Sequence, residues 1–183
     1  MNNFCKKEFF VFKILNKKTF SEPIYMKPIC IKKKLHLQDM SVFSKELRSL
    51  FKKPQILLLE GPPGVGKTTL THFLLNKDMS LKNVWKEDQV SSPAFSIHNH
   101  YITDYGFVRH IDLYRIKDDD DLESTGFWDI FSEPENTYLI IIEWANRLNS
   151  SSFPVGWHYI KVAFTFNTQA DTRHVLVTSS NLS

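Results

Sequence analysis

The sequence is poor in cysteine and glycine, with two and six of them in 183 residues. Cys5 and Cys30 form no CxxC pair and have no companion Cys/His set, which argues against a zinc site and against a disulfide framework. That usage fits a reducing compartment, and a cytoplasmic setting is expected. No apolar run approaches the roughly 18 residues needed to span a bilayer, so no membrane contact is expected. The stretch from Phe9 to Leu15 is broken by Lys13 and followed by no small-residue cleavage site, a poor match to a secretory signal. Residues 1–25 are basic, as in organelle transit peptides, but rich in Lys rather than Arg and short of Ser, which counts against that class too. Internal repeats and long low-complexity tracts are also lacking.

What remains is enough for one ordinary domain with a sizeable core, since 42% of the residues are hydrophobic and 14% aromatic. The net charge of +3 conceals an asymmetry. Residues 1–53 hold 13 Lys and Arg against 4 Asp and Glu, whereas residues 54–183 hold 10 against 16. A basic leader precedes an acidic body. Lys32, Lys33 and Lys34 offer phosphate contacts, although a run of three lysines reads more simply as a solvated stretch.

Periodicity supplies the order of elements. A helix over about Ser41–Leu50, with Val42/Phe43, Leu47 and Leu50 on one face, precedes a short apolar run, Gln55–Glu60, that reads as a buried strand. A Gly/Pro loop and a helix over about Lys67–Asn76 follow, with Leu70, Phe73 and Leu74 inward. Phe95–Ile102 and Phe107–Leu113 read as strands joined by a turn at Asp104-Tyr105-Gly106. The acids Asp118–Asp121 suit the first turn of a helix, where the backbone dipole favours negative charge, rather than a metal site. Tyr138–Glu143 is a second buried strand, Asn149–Ser152 a loop, and Trp157–Phe166 and Arg173–Val177 closing strands.

Gly61-Pro62-Pro63-Gly64-Val65-Gly66-Lys67-Thr68 fits the phosphate-loop pattern G-x-x-x-x-G-K-[ST], and it stands between a buried strand and a helix, where that chemistry needs it. The glycines let the backbone curl so that successive N–H groups face phosphate oxygens. Lys67 would reach the β- and γ-phosphates, and the Thr68 hydroxyl would ligate Mg²⁺. The simpler reading of the segment is a Gly/Pro turn that binds nothing. A second metal-holding acid usually ends a neighbouring apolar strand, and Glu143, after four aliphatic residues, is the candidate; the alternative is a strand-end carboxylate facing solvent. Asp112 ends the strand before and has the spacing to approach the γ-phosphate or its attacking water. His98 and His100 share a strand face but have no third ligand nearby, so they are not read as a metal site. Trp85, Trp128 and Trp157 read as packing residues, while Trp144, directly after Glu143, falls at the nucleotide edge.

Four blocks in order, residues 61–69, Ser-Pro-Ala-Phe-Ser-Ile (92–97), His-Ile-Asp-Leu-Tyr-Arg-Ile (110–116) and Ile-Ile-Glu-Trp (141–144), resemble the TsaE (YjeE) family over about residues 26–178. The Asp-Leu-Tyr-Arg and Glu-Trp blocks carry more of that resemblance than the phosphate loop, which many families share. The resemblance implies an α/β P-loop NTPase fold, a single domain with a mixed, partly antiparallel central sheet flanked by helices. It implies ATP and Mg²⁺ as ligands, and an ATPase that is weak alone and stimulated by a TsaB–TsaD complex during N6-threonylcarbamoyladenosine modification of tRNA. tRNA would be met only through that complex. By matched position Lys67, Thr68 and Glu143 take the phosphate and Mg²⁺ roles and Asp112 an essential role near the γ-phosphate. Residues 61–69, including Thr69, together with Trp144 and Arg147, form the nucleotide contacts, and Arg115 sits in a signature block. The resemblance also puts the domain at 26–183, leaving residues 1–25 as an extension or an unused upstream start.

The chain departs from the family pattern in three places. Ala94 stands where relatives carry a Thr after Ser-Pro, leaving Ser92 or Ser96 to substitute or hydrolysis weakened. Pro62-Pro63 replaces the usual residues after the first Gly and stiffens the turn. Ala145-Asn146 replaces a Pro-containing pair. Two other classes stay open at this point. One is a small-molecule kinase, although Arg109, Arg115, Arg147 and Arg173 make no lid-like cluster; the other is a nucleotide-binding structural subunit with impaired hydrolysis.

Overall fold

The computed structural model describes residues 29–75, 83–85, 98–148, 153–167 and 171–181. The expectations for residues 1–25, for the Ser-Pro-Ala-Phe-Ser-Ile block with Ala94, Ser92 and Ser96, and for the loop at 149–152 lie outside them, as do the side chains of Trp85 and His98.

Among the described residues, eight strands form one sheet: β1 (Cys30–Leu35), β2 (Gln55–Glu60), β3 (Asn83–Trp85), β4 (His98–Thr103), β5 (Gly106–Asp112), β6 (Thr137–Glu143), β7 (His158–Asn167) and β8 (Thr172–Asn181). Their order across the sheet is β1-β8-β7-β2-β6-β5-β4-β3. The four central strands, β7, β2, β6 and β5, run parallel, and each edge is extended by antiparallel neighbours. The sheet is therefore mixed, as the resemblance implies. β2 and β6 are near-continuous aliphatic runs because parallel central strands are covered on both faces. Alternation sends Leu57, Leu59 and Ile141 into one core and Ile56, Leu58, Ile140 and Ile142 into the other.

The first core is closed by α1 (Met40–Arg48) and α2 (Lys67–Phe73). In α1 the buried face is Met40, Phe43, Ser44 and Leu47, while Val42 is 63% exposed. Val42 was expected inward, but one residue of offset turns it about 100° away from Phe43. In α2 and at its C-cap, Leu70 and Leu74 are buried and Phe73 only half so. The second core is aromatic, with Phe127 and Phe131 of a 3-10 turn meeting Phe153 and Trp157. α3 (Asp119–Ser124) covers it through Leu122. The acidic run does open that helix: the Asp118 carboxylate accepts from the Asp121 N–H at 2.8 Å. Trp157 is buried and Trp128 half-buried, so both pack as expected.

β1 and β3 were not read from the sequence. β1 pairs with β8 and carries Lys32 and Lys34 outward, while Lys33 forms an ion pair with Glu46 of α1. The parallel register brings Leu59 of β2 and Asp112 of β5 each opposite Glu143 of β6. The C-terminal ends of three interior strands thus meet the loop between β2 and α2.

Candidate functional site

The loop leaving β2 can turn back into α2 only through unusual backbone angles. Gly61, Gly64 and Gly66 have φ of 137°, 73° and 116°, a region other residues rarely enter. At Gly61 there is a second constraint, since a Cβ there would sit 2.6 Å from the Phe164 carbonyl oxygen of β7. The loop wraps Lys67, which is buried although its Nζ is a charge donor. That ammonium donates to the loop's own carbonyls, Gly61 at 2.8 Å and Pro62 at 3.0 Å, and lies 4.1 Å from the centre of the Trp144 ring. Burial pulls the Lys67 pKa below its ordinary 10.5, against the upward pull of the Glu143 and Asp112 charges.

Glu143 is the buried acid of the site. The Thr68 hydroxyl donates to its Oε2 at 2.8 Å, the Thr71 hydroxyl to its Oε1 at 3.0 Å, and His110 Nε2 lies 3.0 Å from Oε1. Burial alone would raise the Glu143 pKa. The hydrogen bond and charge of His110 and the two hydroxyls outweigh it and hold the carboxyl below 4.5. Trp144 follows with φ 60°, the one non-glycine residue at positive φ among those described. Such strain persists where surrounding contacts hold it, and here the ring packs on Tyr114 at 5.1 Å between centroids.

These groups line a cleft of about 260 Å³ formed by Pro63, Gly64, Gly66, Lys67, Thr68, Thr69, Asp112, Tyr114, Glu143 and Trp144. Nine of the residues expected at the site are therefore brought together. Gly61 and Pro62 reach it through their carbonyls on Lys67, and Val65 is buried beneath it. Arg147 does not line the cleft; it is exposed and meets the site through the Trp144 ring, 5.9 Å away. Arg115 is likewise exposed on the 3-10 turn after β5. Three residues were missed: Tyr114, His110 and Thr71. His110 lies two before Asp112 and so on the same strand face, and Thr71 one helical turn after Thr68, so alternation and helical period carried the signal.

The donor set suits a nucleotide with a hard cation. A curled loop with glycine at its bends, a buried ammonium and a helix start suit phosphate oxygens, and Thr68 and Glu143 present adjacent hard oxygens of the kind Mg²⁺ prefers. Among the described residues no group of three or more His, Cys, Asp or Glu is gathered for a metal. Two protein oxygens suffice for Mg²⁺, which takes its remaining ligands from phosphates and water. Among the described residues, no helix is long and apolar enough to cross a membrane.

Fold and cleft together define a P-loop nucleotide-binding protein of the mixed α/β class. Residues 35–175 match the family model for the threonylcarbamoyl adenosine biosynthesis protein TsaE, and the chain belongs to that family. Relatives include the tRNA threonylcarbamoyladenosine biosynthesis protein TsaE of Aquifex aeolicus, 34% identical over 110 residues, covering 60% of this chain and 72% of the relative. The protein of the same name from Haemophilus influenzae is 30% identical over 106 residues, covering 57% of this chain and 61%, under two thirds, of its own length. The crystal structure of Bacillus subtilus YdiB superposes with a TM-score of 0.50 over 84% of this chain and 88% of that one, at 21% identity, which supports the fold.

Proposed function

We propose that this chain is an ATP-binding and ATP-hydrolysing subunit that acts in N6-threonylcarbamoyladenosine modification of tRNA together with a TsaB–TsaD complex. The observation that carries the reading is the convergence of Lys67 and Thr68, from the start of α2, with Glu143, from the end of β6, onto one cleft. Lys67 exchanges its loop carbonyls for β- and γ-phosphate oxygens, a swap of acceptors that leaves the ammonium satisfied. Residues 61–69 wrap the phosphates, with Trp144 at the mouth and Arg147 behind its ring. Thr68 and Glu143 would hold Mg²⁺, whose charge would offset that of the phosphates. Asp112, exposed beside Glu143 in register, takes the γ-phosphate side and the attacking water. Residues 26–183 make up this ATPase domain, with residues 1–25 as an extension, and the setting is the cytoplasm.

A kinase reading gains nothing from the arginines. Arg109 is buried and spent on the Ile130 carbonyl at 2.8 Å, and Arg173 is buried against the loop's rear, so neither belongs to a lid. tRNA is met through the complex, and the isolated chain should give no gel shift that survives moderate salt. Co-purification with TsaB–TsaD, with and without ATP, tests the partner. Phosphate release stimulated by that pair and abolished in Lys67→Ala tests the enzyme. Ala94→Thr measured beside them separates an ATPase from a structural subunit. ATP binding without association at micromolar concentrations would defeat the proposal, and transfer of phosphate to a metabolite without partners would favour the kinase.

A further inference from the structure

Arg173, the second residue of β8, is 8% exposed, and its position needs an explanation because a buried guanidinium must find acceptors. Its Nε–H donates to the Val65 carbonyl at 3.3 Å, and its Nη1 donates to Asp171 Oδ1 at 3.1 Å. Its neighbours in register are Leu35 of β1 and Phe166 of β7, and its Cζ lies 5.9 Å from the Phe166 ring. One of the two acceptors of this buried cation is thus a backbone oxygen in the middle of the phosphate loop, 108 positions away in sequence.

Peptide geometry gives that bond a consequence. In a trans peptide the C=O and the following N–H point in opposite directions, and the one cis bond among the described residues is Lys53-Pro54. Drawing the Val65 carbonyl towards β8 therefore turns the Gly66 N–H away from β8, towards the cleft that Gly66 lines. The front of the loop is fixed by the same hairpin, because Gly61 is pressed on the Phe164 carbonyl of β7. We infer that Arg173 is a positioning residue for the phosphate cradle: by tethering the Val65 carbonyl it aims the Gly66 N–H at the bound anion. The inference rests on the reading of the cleft as a nucleotide site.

The test uses the full chain with ADP as probe. Affinity is measured by calorimetry, folding by thermal melting, and the aim of the peptide by the Gly66 amide resonance with and without ADP. Arg173→Met should weaken ADP about tenfold, in line with the loss of one hydrogen bond from a charged group, and abolish the ADP-induced shift of Gly66. Arg173→Lys keeps the charge without the Nε–H and should stay several-fold weak, which separates aiming from simple attraction. Asp171 has a 91% exposed side chain, so Asp171→Asn loosens the guanidinium without disturbing the core. It should melt with the wild type, bind about two- to threefold more weakly and shrink the Gly66 shift, which keeps the inference testable if Arg173→Met does not fold. Wild-type affinity and an unchanged Gly66 shift in Asp171→Asn and Arg173→Lys would overturn the role of Arg173 while leaving the nucleotide site standing. Failure of the wild type to bind ADP would instead remove the nucleotide reading, and this inference with it.

Discussion

Thr68 and Glu143, 75 positions apart in the sequence, are joined by a 2.8 Å hydrogen bond from hydroxyl to carboxylate. The bond keeps two hard oxygens together in the cleft, where a divalent cation would take the place of the hydrogen bond, the hydroxyl turning its O–H away and offering a lone pair. Glu143→Gln should then reduce partner-stimulated hydrolysis about a hundredfold or more, while ADP affinity in a chelator changes only a few-fold. Steady-state phosphate release and calorimetry check this. Equal loss of affinity with and without Mg²⁺ would assign Glu143 to loop structure instead.

Lys67 gives a pH dependence. The protonated ammonium holds phosphate, and burial lowers its pKa in the nucleotide-free protein. As pH rises, the charged fraction therefore falls earlier than for a solvent lysine, and ADP affinity should decline from the alkaline side below 10.5. Dissociation constants measured from about pH 7 to 10 would show the fall. Lys67→Arg, which stays charged, should give a flat profile at whatever affinity it retains. A flat profile in the wild type would contradict the assignment.

Much of the site was legible because its chemistry is local in sequence. The loop from Gly61 to Thr68 is contiguous, and Glu143 is marked by the four aliphatic residues before it. β2 and β6 were legible for the same reason, since burial on both faces writes a near-continuous apolar run. β1 was not, because an edge strand with Lys32 and Lys34 on its open side carries no apolar run to read. His110 and Thr71 were missed because their role appears only when β5, β6 and α2 are brought side by side. Val42 was misplaced because helix periodicity gives a face and not its boundary.

The contacts around Glu143 set a second pH effect, this time on stability without nucleotide or metal. Its pKa is held below the ordinary 4.5, so the native state favours the ionised form. The associated stability is fully present above 4.5 and is lost as pH falls through the lower native value. Glu143→Gln, which cannot ionise, should cost about 1–3 kcal/mol at neutral pH, with the difference shrinking in acid. Urea melts of both proteins in a chelator, from neutral pH downward, would reveal it. A difference independent of pH would point to packing alone.

Trp144 offers a direct readout of Lys67. The ammonium lies 4.1 Å from the ring centre, and a phosphate that draws it away removes that contact. ADP should therefore change the intrinsic fluorescence of the wild type, and the change should be absent in Trp144→Phe, where the other tryptophans remain. Because Phe retains an aromatic face, ADP affinity should move less than about threefold. A signal that persists in Trp144→Phe would place the reporter elsewhere.

Asp112 separates chemistry from structure. Its Oδ1 accepts from the Tyr114 N–H at 2.9 Å, a bond that caps the turn after β5, and its side chain also lines the cleft. Asp112→Asn retains an oxygen for the cap and loses only the charge, whereas Asp112→Ala loses both and should cost about 0.5–2 kcal/mol of stability. If the carboxylate acts on the γ-phosphate side, Asp112→Asn melts like the wild type yet hydrolyses about a hundredfold more slowly with partners present. Its ADP affinity should hold or rise, because a negative charge has been taken away from the phosphates. An asparagine variant with wild-type turnover would confine Asp112 to the cap, and the loss in the alanine variant would then follow its melting temperature rather than its charge.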